Sequence, residues 1–117
     1  MQSDELLQLA QDSLDDLKAR DLCVLDVRKL TSVTDYLLIA SGTSDRHVRS
    51  LAENLIEAAK KAGQSPMGVE GLDAGEWVLI DLCDVVVHVM QPRTREFYKL
   101  EDLWAVGGDS AATTSLN

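Results

Sequence analysis

Near the start of the chain Leu6, Ala10, Leu14 and Leu17 recur at helical spacing, with Leu7 and Ser13 beside that stripe. Ser3 is the expected N-cap, and Asp4 and Glu5 suit the positive end of a helix dipole. The spacing predicts a helix over about residues 4–20. Leu22–Arg28, reading LCVLDVR, alternates from Val24 onward as a half-exposed strand does. Thr31–Asp35 is a polar connector, and Tyr36–Ala40 is continuously apolar, as in a central strand covered on both faces. Val48, Leu51, Ala52, Leu55, Ala59 and Ala62 form the stripe of a second helix, with Lys60 and Lys61 in its last turn and Gly63 as its stop.

Pro66–Gly71 reads as a short extended segment or loop. Trp77–Asp81 and Val85–Met90 are β-branched runs separated by only three residues, so they predict a hairpin. A last helix begins near Pro92 and runs, in one or two pieces, through Phe97, Leu100, Leu103 and Trp104. The order α-β-β-α-β-β-β-α around one mixed sheet predicts an α/β two-layer sandwich. Residues 1–104 form the single expected domain. Residues 105–117 lack apolar content to pack and are expected to be a disordered tail.

At 117 residues the chain fits one domain with one core. No apolar run approaches the roughly 20 residues of a membrane span, and Met-Gln-Ser-Asp-Glu is not a basic, apolar leader. Cys23 and Cys83 form neither a metal-type pair nor a disulfide framework, which predicts a reduced cytoplasmic protein. The net charge of −9 is unevenly spread. From Ala62 to Pro92 there are five acids (Glu70, Asp73, Glu76, Asp81, Asp84) and no Lys or Arg. Such a chain is repelled by a bare phosphate backbone, so little direct nucleic-acid binding is expected. A basic partner is the better electrostatic match, although acidity also serves plain solubility.

The stretch Ile39–Val48, IASGTSDRHV, gathers Ser44, Asp45, Arg46 and His47 at a strand-to-helix junction. Ser44 and His47 lie three apart and can touch, but Asp45 points to another face and cannot orient the imidazole. A phosphate site of the nucleotidyltransferase kind is the enzymatic alternative, since a glycine turn feeding a helix presents free N–H groups. That chemistry needs converging carboxylates for Mg²⁺, and Asp81 and Asp84 only flank a hairpin turn. Thr43 or Ser44 therefore reads as a helix cap, with Asp45 complementing the dipole. His88, in a valine-rich strand, reads as a hydrogen-bonded structural residue. No metal site or cofactor is expected. Trp104 reads as core, whereas Trp77 is either core or an interface anchor.

The segments VTDYLLIASGTSDRHVRSLAENL, GVEG, EWVLIDLCDVVVHVM and FYKLEDLW together resemble the Iojap family of bacterial ribosomal silencing factors, RsfS. The resemblance is collinear from the first helix to Trp104. It implies a nucleotidyltransferase-like shape without the catalytic carboxylates, and a regulator rather than an enzyme. It further implies binding to the large ribosomal subunit through ribosomal protein fourteen. The consequence is a steric block to subunit joining that represses translation when nutrients are scarce. The contact is then assigned to Trp77, Leu79, Asp81, Asp84, His88 and Tyr98. A homodimer of the free protein is compatible with such an exposed apolar face. One departure stands out: the family usually has glycine where this chain has Cys83, so cysteine is strained if that turn requires positive φ.

Overall fold

The computed structural model describes residues 1–106. The expected tail lies almost wholly outside these residues. Four helices and five strands follow in the order α1 (Ser3–Asp16), β1 (Arg20–Asp26), β2 (Tyr36–Ser41), α2 (Asp45–Lys61), β3 (Gly68–Glu70), β4 (Trp77–Asp81), β5 (Val85–Met90), α3 (Pro92–Tyr98) and α4 (Leu100–Val106). The final helix thus comes in two pieces, broken by the left-handed Lys99 (φ 49°). Pro66–Gly71 resolves into a short edge strand. The strands form one mixed sheet ordered β1-β2-β5-β4-β3, with β2 and β5 parallel and the other pairs antiparallel.

Helix α1 is shorter than its apolar stripe suggests. It ends at Asp16, and Leu17 is its C-cap, more than a third exposed rather than core. Lys18 takes φ 63°, and the amides of Lys18 and Ala19 bond back to the carbonyls of Asp15 and Leu14. That is a Schellman ending built without glycine. The start also differs: Gln2, not Ser3, is the N-cap, and the Glu5 carboxylate accepts from its backbone N–H at 2.9 Å. Helix α2 ends as expected. Gly63 (φ 80°) donates to Lys60 and Gln64 to Ala59.

The two faces of the sheet are covered unequally. On one, α1 and α2 bury Leu38, Ala40, Val78, Ile80, Val85, Val87 and Val89 under Leu6, Leu14, Leu51 and Leu55. On the other, Leu100 and Trp104 of α4 pack over Cys23, Leu25, Val27, Leu37, Ile39 and Met90. This cover is anchored by Arg95, whose guanidinium donates to Glu101 at 2.8 Å and to the buried Ser41 hydroxyl at 2.9 Å. It closes the β1–β2 end. Phe97 and Leu103, expected on the packed stripe of the last helix, point outward instead, at 77% and 69% exposure. Two short helices joined at a left-handed residue do not share one continuous stripe.

At the hairpin between β4 and β5, Cys83 takes φ 75°, its amide bonds to Asp81 Oδ1 at 2.8 Å, and the Asp84 amide bonds to the Leu82 carbonyl at 3.0 Å. This is a γ-turn with positive φ at its centre, a strained conformation for any side chain. Replacing Cys83 by Gly removes that strain at the cost of a freer unfolded chain. Cys83→Gly is expected to raise the unfolding free energy by about 1 kcal/mol, and Cys83→Val to lower it. Chemical denaturation measures both, and a less stable Cys83→Gly protein contradicts the strain.

Candidate functional site

The strand-to-helix junction proves structural. Ser44 caps α2, its Oγ accepting from the His47 amide at 3.0 Å. The His47 ring faces the backbone on both sides: Nδ1 accepts from the Thr43 N–H at 2.9 Å, and Nε2 lies 2.8 Å from the Leu17 carbonyl. With Nδ1 accepting, the proton sits on Nε2, which donates to Leu17. The imidazole therefore ties the end of α1 to the start of α2. Neither ring nitrogen is left to serve Ser44 as a base. Asp45 bonds to the Arg46 amide and pairs with Arg49 at 3.6 Å. Among the described residues no group of three or more His, Cys, Asp or Glu side chains could hold a metal ion.

Strand alternation assembles a different site, on the half of the second face that α4 does not reach. Trp77, Leu79 and Asp81 of β4 share that face with Val86 and His88 of β5, and the register sets Leu79 opposite His88 and Asp81 opposite Val86. Leu79 and Val86 stay half-buried because nothing among the described residues covers them. Glu70 of β3 stands opposite Leu79 and brings a carboxylate to the edge of the same face. Trp77 lies between the covered and open halves. Its ring packs against the covered cluster and meets Tyr98 with centroids 4.8 Å apart, and Tyr98 in turn meets Phe97 edge-on at 4.9 Å. A cleft of about 410 Å³ lined by Glu76, Gln91, Arg93, Thr94, Phe97 and Tyr98 continues the patch.

The indole of Trp77 donates to His88 Nδ1 at 2.9 Å. Indole nitrogen can only donate, so Nδ1 must be unprotonated, and the neutral ring carries its hydrogen on Nε2. Burial also drives His88 toward neutrality, pulling its pKa from 6.5 down to about 4. The residue is 8% exposed.

Of the six assigned contact residues, Trp77, Leu79, His88 and Tyr98 come together as one patch, with Asp81 at its margin. Asp84 sits beyond the turn at the hairpin tip, where its carbonyl accepts from the amides of Asp35 and Tyr36. Asp81 is less free than its sequence position suggests, because its carboxylate holds the γ-turn. Val86 and Phe97 were not expected at the patch, and Glu70 was expected there only as one of the five acids of the segment without Lys or Arg. The strand pairing that places Glu70 and Val86 there is a tertiary property, while the alternation of Val86 with His88 was available in the sequence. A larger cleft of about 610 Å³ lies on the opposite face between α2 and β3, but its rim balances Glu53 and Glu57 against Lys60 and Lys61. It lacks the acidic bias and the aromatics.

The model of the family described as "Ribosomal silencing factor during starvation" matches residues 1–116. The chain belongs to the RsfS family. It is 44% identical to the ribosomal silencing factor RsfS of Chromobacterium violaceum over 104 residues, 89% of this chain and 85% of that one. It is also 44% identical to the Haemophilus influenzae RsfS over 100 residues, 86% of this chain and 98% of the other. The fold matches a crystal structure of a Chromobacterium violaceum protein with a TM-score of 0.88 at 44% identity, covering 90% of this chain and 88% of that one. The family is thus one of regulatory, ribosome-associated proteins. Among the described residues no helix is long and apolar enough to cross a membrane.

Outcomes follow for the junction and for His88. Ser44→Ala should cost about 0.5–2 kcal/mol of stability. His47→Ala should also destabilise, and neither change should alter turnover of a nucleoside triphosphate, measured with Mg²⁺. A turnover abolished by either change contradicts a structural junction. For His88 the folded pKa lies below the unfolded one. Its contribution is therefore fully present above about pH 6.5 and is lost as the pH falls toward about 4, a loss of about 3 kcal/mol. Urea unfolding across that window should show a shallower pH dependence in His88→Asn than in wild type; equal slopes contradict a buried neutral histidine.

Proposed function

We propose that this RsfS-family protein silences translation in the cytoplasm by seating the open half of its sheet on a basic protein surface of the large ribosomal subunit, that of ribosomal protein fourteen. It acts as a steric block and not as an enzyme. The observation that carries this reading is the patch of Trp77, Leu79, Val86 and Tyr98, left partly uncovered around the buried His88 and edged by Glu70, Glu76 and Asp81. Aromatic anchors within a polar rim are the usual source of binding energy at such contacts. The carboxylates favour Lys and Arg on the partner and disfavour RNA phosphate, so the chain needs a protein foothold on an RNA-rich particle. The family description supports the silencing role, and the chemistry of the patch supports the site.

Steric exclusion asks little of the molecule beyond size and residence time. It measures 33 × 33 × 21 Å, thick enough to hold two apposed subunit surfaces apart. Bound on the joining face, it need neither distort nor cut the ribosome. Inhibition then follows occupancy, reverses on dilution, and is lost once joined subunits cover the site. Free protein with this face uncovered is also placed to pair with a second copy.

Trp77→Ala is expected to weaken binding to isolated large subunits by at least about 1–2 kcal/mol. Asp84→Lys should weaken it chiefly through the association rate if the charge lies at the rim. Asp81→Lys is the poorer test, because it also unties the turn. Subunit association followed by light scattering, with circular dichroism to confirm folding, reads all three effects. Normal joining at saturating wild-type protein refutes the steric mechanism, and full inhibition by folded Trp77→Ala at limiting concentration removes only Trp77 from the contact.

A further inference from the structure

His88 occupies a boundary. On the same face its β2 neighbour Ile39 and its strand neighbour Met90 are fully buried under the α4 cover, while Leu79 across the β4 pairing and Val86 along the strand are half-open. Its Nδ1 is taken by the Trp77 indole at 2.9 Å, so its hydrogen is on Nε2, the ring nitrogen farther from the backbone. Among the described residues none accepts from that Nε2–H. A residue more than nine-tenths buried therefore keeps one polar hydrogen with no partner among the described residues, beside the open half of the sheet. Buried donors are normally satisfied, and the exceptions call for a cause.

We propose that the Nε2–H of His88 is a recognition donor that takes an uncharged oxygen of the docked protein, a backbone carbonyl or a hydroxyl, at the middle of the contact. The inference rests on the docking reading above and names what that face selects. Around the rim, Glu70, Glu76 and Asp81 call for Lys and Arg, which offer only donors. At His88 the demand reverses. A cation or amide N–H pressed there meets a donor, leaving two polar hydrogens buried without partners. A surface that is merely basic satisfies the rim but not the centre. Discrimination of this kind exceeds what apolar area alone provides, because the wrong surface strands a buried polar group. The Trp77 bond makes the choice one-way: it fixes the tautomer, so the imidazole cannot turn its acceptor nitrogen outward without orphaning the indole.

Two substitutions separate the donor from the scaffold. His88→Asn can keep an amide oxygen near the position of Nδ1 for the Trp77 indole but cannot reach the position of Nε2. His88→Gln can place an amide nitrogen near Nε2. With isolated large subunits, and with purified ribosomal protein fourteen, His88→Asn should bind at least about tenfold more weakly, mainly through faster dissociation, with Trp77 fluorescence unchanged. His88→Gln should recover a substantial part of that loss. In ¹⁵N-labelled wild-type protein the Nε2–H should become protected from solvent exchange on binding protein fourteen, which tests the bond even if a variant fails to fold. His88→Asn binding within twofold of wild type, or an Nε2–H that exchanges equally fast in the complex, overturns the recognition role. If Asp84→Lys still weakens binding in that case, the docking reading survives. Wild-type protein that binds neither subunit nor protein fourteen overturns both.

Discussion

A five-stranded sheet has two apolar faces, and the described residues supply long helices for only one of them. Helices α1 and α2 bury the centre of the first face, whereas the second receives two seven-residue helices. Their reach is set by the Arg95 tether to Ser41 and Glu101, which holds them over β1 and β2. Both partners of that ion pair are largely withdrawn from water. Removing one partner of such a pair leaves a buried charge uncompensated, so the tether fixes where the cover lies more than it adds net stability. The proposed docking site is the strip of sheet left over.

What remains uncovered is not ordinary surface. Of two tryptophans, two tyrosines and one phenylalanine, the chain places Trp77, Trp104, Phe97 and Tyr98 on or beside this face. Trp104 serves the covered half, and Trp77 bridges the two halves through its tilted ring contact with Tyr98 and its bond to His88. The patch is therefore held in shape before any partner arrives, which lowers the ordering cost of binding. Acidic residues stay at the margin, where they can steer an encounter without being desolvated alone.

Much of this was legible in the sequence. The β-branched runs at 77–81 and 85–90, the apolar run at 36–40 and the stop at Gly63 each act locally, and each became the expected element. Cys83 was expected to be strained if its turn required positive φ, and the positive φ is there. Where the reading departed, a non-local or unusual residue decided. Helix α1 stops early because Lys18 adopts a conformation that glycine usually supplies. Phe97 and Leu103 face outward because Lys99 breaks one predicted stripe into two. The proposed contact patch was half visible: Trp77 and the acids stood out by composition. The partnership of Trp77 with His88, which turns a structural-looking histidine into an oriented donor, depends on strand register and could not be read from spacing.

Side-chain oxidation footprinting of the protein, free and bound to isolated large subunits, tests the central claim most directly. If the open half of the second face is the docking surface, Trp77, Phe97 and Tyr98 should become protected on binding. Met1 and Leu17, at the α1 side, should label as in the free protein. Protection that falls on α1 and α2 while Phe97 and Tyr98 stay reactive would place the ribosome on the other side of the molecule and contradict the account.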